Sequence, residues 1–281
     1  MTGWQVAIRH RTAYRYAGDV LSSYNEARVT PLTTDVQQVV EAATVVSPAA
    51  PVLRYWDYWG TMVDAFDVQV AHSELAVTGS SVVRTATAVP RTALRWAEQR
   101  QPAVADRFAE LLGPTHYVPV AEELVDVAGQ LGASAPDPVA GADAAADWVR
   151  SRLAYDTCTT DVTTTAAQAL AGGGGVCQDF THVTLGLLRA MGIPARYVSG
   201  YAFGTPDVEV GADAAGESHA WVEAWTGDWY ALDPTHAVAV GPHHVLVGRG
   251  RDYADVPPLK GIYRGAAAEG ITVTVELTRL A

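Results

Sequence analysis

The chain has 281 residues, 49% hydrophobic and 18% charged, which gives it enough apolar material for a substantial core and enough length for two domains. Its formal net charge of −12, with no basic stripe, excludes a nucleic-acid surface, since phosphate binding needs clustered lysine and arginine. No apolar run reaches the length of about 18 residues that a membrane-spanning helix requires. The first residues, Met1 to Arg9, lack the basic region and apolar stretch of a secretory signal, and two cysteines cannot build a disulfide framework. A reducing cytoplasm is the expected location.

Residues 1 to about 86 read as strands. Thr12, Tyr14 and Tyr16 alternate with Ala13 and Arg15, and Val36 to Val46 is rich in β-branched residues. Tyr55 to Val70 reads as two strands turning near Gly60, and Leu75 to Val83 as another. The aromatic group Tyr55, Trp56, Tyr58 and Trp59 reads as core of this β-rich part, with a binding patch as the alternative. Between Pro90 and Leu153 the period shifts. Helices are expected near Val104 to Leu112, ended by Gly113-Pro114, near Ala121 to Leu131, ended by Gly132, and near Ala142 to Leu153. In the last of these, Ala145, Trp148, Val149 and Leu153 form one stripe. Ala133 to Pro138 is a short connector.

The run Gly172-Gly173-Gly174-Gly175-Val176-Cys177 places a thiol where a helix should begin, because Phe180, Thr184, Leu187, Leu188 and Met191 make a buried face directly after it. That helix should stop at Gly192, before Pro194. Unpaired N–H groups and the helix dipole at such a position favour a thiolate. Cys177 therefore reads as a nucleophile, and its backbone N–H as the first oxyanion donor. Cys158 reads as a small buried hydrophobe or a bystander thiol. Asp179 reads as a carboxylate serving the helix start. His182, about 140° around the helix from Cys177, should pack or hydrogen-bond within the core.

Glu217 to Trp225 alternates as a strand with His219, Trp221, Glu223 and Trp225 on one face, and Gly227 to Leu232 forms a short strand ending at Asp233. His219 can shuttle protons near neutrality. Asp233, before Pro234, can start a turn or orient the imidazole, and the orienting role is preferred. The three side chains lie 42 and 14 residues apart, a spacing that suits a helix followed by two neighbouring antiparallel strands. Trp221, Trp225 and Trp229 read as packing aromatics, with Trp221 and Tyr201 also candidates to line a substrate groove. The loop from Phe203 to Gly216 should govern access of water. Gly270 to Leu277 alternates strictly and reads as a strand.

Four blocks, Gly175 to His182, Gly192 to Tyr201, Ser218 to Glu223 and Leu232 to Thr235, together resemble the core of the bacterial transglutaminase-like superfamily. His10 to Tyr16, then Ser22, Asn25, Arg28 and Pro31, then Asp57-Tyr58-Trp59-Gly60, resemble the β-rich domain that precedes such cores. The resemblance implies an α+β protein with a sandwich-like β-rich domain over residues 1–88 and a papain-like transglutaminase core over 89–262. It also implies that a C-terminal strand within 263–281 returns to the β-rich domain. It makes Cys177, His219 and Asp233 a catalytic triad.

The activity expected is that of a thiol acyltransferase. Cys177 would form a thioester from a glutamine side chain of a protein or peptide and pass the acyl group to a primary amine or to water. A cysteine peptidase or amidase on the same triad is the alternative, and a catalytically silent interaction module the third reading. Acidic spacing for an EF-hand is absent, and His243-His244 lacks cysteine companions, so the pair reads as surface-loop histidines. No metal and no cofactor are expected, and activity should persist in EDTA.

Overall fold

The computed structural model describes residues 3–87 and 93–281, apart from the side chains of 213–215 and 217. In chain order the elements are β1 (Trp4–Ala27), β2 (Gln37–Ser47), β3 (Val52–Trp56), β4 (Met62–Val68), β5 (His72–Thr85), α1 (Trp96–Gln99), α2 (Pro102–Arg107), α3 (Ala109–Leu112), α4 (Glu122–Ser134) and α5 (Pro138–Arg152). They continue with β6 (Ala154–Tyr155), α6 (Ala166–Gly172), β7 (Gly174–Gly175), α7 (Cys177–Ala190), β8 (Ala195–Ala202), β9 (Asp213–Trp225), β10 (Trp229–Leu232), β11 (His244–Gly250), β12 (Leu259–Gly265) and β13 (Ala268–Arg279). Among the described residues no helix is long and apolar enough to cross a membrane.

The long strand β1 organises the N-terminal half. Val6, Ile8, His10 and Thr12 alternate inward while Arg9 and Arg11 face solvent, the period of two that a strand with one covered face requires. A break in pairing between Arg15 and Val20 lets the two ends of β1 serve different neighbours. The first end pairs with β5 and β13, and the second with β4 and β12. Side chains from both ends, including Tyr16 and Val20, meet Val46 of β2, Phe66 and Val68 of β4 and Leu75 and Val77 of β5 in one core.

The C-terminal strand returns to this part. Residues 268–279 pair antiparallel with β1 from Val6 to Tyr16, and β13 also pairs with β9 at Asp213 to Gly216. One continuous sheet therefore runs β11-β8-β9-β13-β1-β4-β3. Of the expected segment limits, the one at 88 lies outside the described residues, and the one at 262 falls inside β12, all of which pairs with β1.

The second core surrounds α7. Phe180, Val183, Leu187 and Leu188 are buried against Leu124 and Ala128 of α4, Ala142, Ala145 and Val149 of α5, Ala169 and Leu170 of α6, and Tyr197, Ala220 and Val222 of the sheet. Alanines on α5 and α6 keep these helices close. A Cβ on Gly186 of α7 would stand 2.8 Å from Leu124 Cδ1, so the glycine permits the crossing with α4. The helix ends in a Schellman-type turn, with Gly192 at φ +78° and Ile193 N–H donating to the Leu188 carbonyl.

Three expectations need correction. The helix expected from Val104 to Leu112 breaks at Phe108 into α2 and α3, where the Phe108 ring packs against Trp225 and Trp229 at 4.9 and 5.7 Å. Helix α4 runs through Gly132 and stops where Ala135 turns extended before Pro136. Three of the four aromatics on and after β3 are surface rather than core: Tyr55 is 37%, Trp56 60% and Tyr58 77% exposed, while Trp59 is partly covered by Arg251. The Tyr55 and Tyr58 hydroxyls donate to Glu26 and Glu110 instead.

Candidate active site

Cys177 is the first residue of α7, and the local sequence explains its placement. Asp179 Oδ2 accepts from the Val176 N–H at 2.8 Å and from the Thr160 hydroxyl at 2.6 Å, fixing both the helix start and the incoming loop. A Cβ on Gly175 would lie 2.5 Å from that same carboxylate oxygen, so only glycine fits there. Burial pushes the Asp179 carboxyl above its ordinary pKa, against the donors from Thr160 and Val176. Its role is structural, at the helix start. Cys177 is partly exposed, with its Sγ 4.0 Å from the Ser218 carbonyl.

His219 faces Cys177 from β9, opposite Gly200 of β8. A side chain at 200 would strike the Val245 carbonyl and the Trp221 ring, so this glycine lets β8 and β11 close over the histidine's strand. Asp233 follows β10, which pairs with β9 from Trp225 to Val222. Its Oδ1 accepts from the N–H groups of Thr235 and His236 at 2.9 and 3.1 Å, and Arg150 donates to its carbonyl at 3.0 Å. The Asp-Pro turn and the orienting contact are therefore one arrangement: with Oδ1 committed to the turn, Oδ2 meets His219 Nε2 at 2.8 Å.

Two histidines that sequence reasoning did not connect to this carboxylate also reach it. His236 Nδ1 lies 3.0 Å and His244 Nε2 3.3 Å from Asp233 Oδ2. His243 and His244, expected on a surface loop, are both only 5% exposed: β11 carries His244 into the sheet beside β8, and His243 packs on Trp4. Gly241 N–H donates to His244 Nδ1, which fixes the proton on Nε2 and makes this ring a neutral donor to Asp233. Burial accordingly lowers the His244 pKa. His236 had a signal, standing three residues after Asp233 in the turn it starts. His244 had none, because its approach depends on β11 pairing with β8.

The electrostatics follow from these contacts. Burial opposes ionisation of Asp233, but donors from His219, His236 and His244 outweigh it and hold the carboxyl well below the usual range. Burial would likewise lower His219, yet its hydrogen bonds to Asp233 and to Cys177 raise it to about 10. His219 is thus a proton donor at neutral pH with Nε2 on the carboxylate and the thiol close by. Because its folded pKa lies above the ordinary 6.5, its contribution to stability is complete below pH 6.5 and is lost as pH rises toward 10. The margin of the wild type over His219→Gln in urea unfolding should shrink across that interval; a constant margin would contradict the assigned ion pair.

His182 is the core residue expected. It is fully buried, stacked on Tyr117 at 5.1 Å, accepts from the Tyr253 N–H and is lowered to about 3 by burial and then by Arg189. Cys158 is exposed and is the bystander thiol rather than a buried hydrophobe. Tyr201 and Trp221, considered for a groove, are 2% and 3% exposed. Tyr201 hydrogen-bonds His10 at 3.0 Å, and Trp221 stacks 6.1 Å from His219 and meets His244 edge-on, so Trp221 supports the site from behind. The ligand atoms of His219, Asp233 and His236 lie within 4.8 Å of one another, close enough to hold a metal ion.

Residues 125–234 match the transglutaminase-like superfamily and residues 6–84 the bacterial transglutaminase-like N-terminal region. The uncharacterized protein ML0607 of Mycobacterium leprae is 47% identical over 279 residues, 99% of this chain and 100% of that one. A protein-glutamine gamma-glutamyltransferase of Pseudomonas aeruginosa is 37% identical over 102 residues, 32% of this chain and 15% of that one. Among solved structures, a Cytophaga hutchinsonii protein described as a candidate cysteine protease superposes with a TM-score of 0.79 at 21% identity, over 100% of this chain and 92% of that one. The fold is therefore α+β, a β-rich N-terminal part joined to a transglutaminase-like core of the cysteine-protease type. The chain belongs to the transglutaminase-like superfamily, with the bacterial transglutaminase-like N-terminal region ahead of its core.

Proposed function

We propose that this protein is a thiol acyltransferase of transglutaminase type, acting on glutamine side chains of a protein or peptide. The observation that carries the reading is His219, held by Asp233 at 2.8 Å through Nε2 and following Ser218, whose carbonyl lies 4.0 Å from the Cys177 sulfur. The Cys177 sulfur attacks the amide carbon, and His219 protonates the departing ammonia, leaving a thioester. A primary amine then attacks the thioester, His219 takes its proton, and the sulfur leaves. Water in place of the amine gives hydrolysis. Negative charge on the tetrahedral oxygen is met by the Cys177 N–H, which at the first helical position has no intrahelical acceptor, whereas the neighbouring Val176 N–H is committed to Asp179.

The similarity to a protein-glutamine gamma-glutamyltransferase supports glutamine as donor. Both cysteines are free, and a reducing cytoplasm would keep Cys177 competent. The test is incubation of a glutamine-containing protein with a labelled primary amine, measuring incorporation and ammonia release. Incorporation by the wild type but not by Cys177→Ala supports the proposal. Cleavage of peptide bonds that outpaces transfer at saturating amine would replace it with a peptidase on the same three residues.

A further inference from the structure

Three imidazole nitrogens converge on one oxygen of Asp233, at 2.8, 3.0 and 3.3 Å from His219, His236 and His244. Orienting His219 needs only one carboxylate contact, so the additional rings call for a further explanation. The three nitrogens differ in what they can do. His244 has its tautomer fixed by the Gly241 N–H on Nδ1, so its Nε2 keeps a proton and cannot offer a lone pair. Among the described residues no such contact restrains His236, whose side chain is 34% exposed while that of Asp233 is fully buried. His236 therefore opens the cluster to solvent on one side, and His219 closes it on the other.

We propose that His219 Nε2, Asp233 Oδ2 and His236 Nδ1 form an inhibitory zinc site, with water from the solvent side of His236 as fourth ligand. Two imidazoles, a carboxylate and a water are a donor set that zinc accepts in tetrahedral form, at about 2.0–2.2 Å from each protein atom. The ligand atoms lie within 4.8 Å of one another, and small side-chain shifts around an inserted ion would bring them to bonding distance. His244 stays a donor to the carboxylate and holds it in place, the supporting part that metal-bound carboxylates commonly receive. Zinc expels the protons that His219 and His236 now direct at Asp233. With Nε2 occupied by the ion, His219 can no longer become the imidazolium that must protonate the leaving ammonia.

The inhibitory consequence rests on the acyl-transfer proposal, whereas the binding does not, so the test reads binding in an inactive variant. Cys177→Ala is titrated with Co2+ followed by visible absorption, then with Zn2+ as competitor. Tetrahedral cobalt bands without a sulfur-to-cobalt charge-transfer band, displaced by zinc, are expected. In Cys177→Ala/His236→Ala, affinity for both ions should fall by about tenfold or more. Zinc should also raise the unfolding midpoint of the first variant and not of the second, which shows directly that both are folded. Loss of binding on removal of Cys177 would make the thiol the ligand and overturn the proposal, as would undiminished binding without His236.

Discussion

Cys177→Ala is expected to lower amine incorporation and ammonia release by at least about 10⁴-fold, since nucleophile, base and orienting carboxylate act as one unit. Asp233→Asn should lose about as much by a different route. An amide in place of the carboxylate cannot accept from His219, His236 and His244 at one oxygen while its other arm accepts from Thr235 and His236 N–H groups. Either the turn or the imidazole contact must fail. Rates for both variants, measured with a fluorescent primary amine and a glutamine-containing protein, check this. Cys158→Ser provides the control: its thiol is exposed and serves no role in the site, so its rate should match the wild type. A Cys177→Ala variant retaining more than a small fraction of activity would remove the assigned nucleophile.

The second large effect concerns stability. Glu223→Ala should cost about 3–5 kcal/mol, because it leaves two largely buried guanidinium groups facing each other without their shared carboxylate. Glu223 accepts from Arg196 at 2.5 Å and from Arg249 at 2.8 and 3.0 Å, and the Arg196 guanidinium lies 3.7 Å over the Trp229 ring. The two arginines hold the Glu223 carboxyl below its usual pKa against the opposing effect of burial. Arg9 and Glu276, 60% and 65% exposed, make the useful contrast, since screening limits such surface pairs to about 1 kcal/mol or less. Urea unfolding of Glu223→Ala and Glu276→Ala side by side separates the cases. Equal losses would show that burial of the Glu223 cluster does not govern its contribution.

Much of the site was legible because it is encoded locally. Gly175, Cys177 and Asp179 are neighbours in sequence, and their packing follows from a helix start that leaves no space for a Cβ. His219 and Asp233 are placed by a hairpin of short span, β9 with β10, whose alternation shows in the sequence. The β1–β13 pairing could not be read from alternation alone, since neither strand carries the identity of its partner, and it came from the family resemblance.

What escaped was long-range. His244 reaches Asp233 only because β11 adds to β8, and no spacing in the sequence announces that pairing. Tyr55, Trp56 and Tyr58 read as core because aromatic residues bury most area, yet no other element covers them. Trp221 and Tyr201, expected as candidates to line a groove, are instead buried in two hydrophobic clusters assembled from distant strands.

Acyl transfer through Cys177 requires an acyl-enzyme that can be trapped. Wild-type protein is mixed with a glutamine-containing peptide library, quenched rapidly in acid and digested, and the cysteine-containing peptides are read by mass spectrometry. A thioester on Cys177 is expected, adding the mass of the peptide less ammonia, absent from Cys177→Ala and sharply reduced in His219→Gln. An adduct on Cys158, or ammonia released with no acyl group ever found on Cys177, would contradict acyl transfer through Cys177.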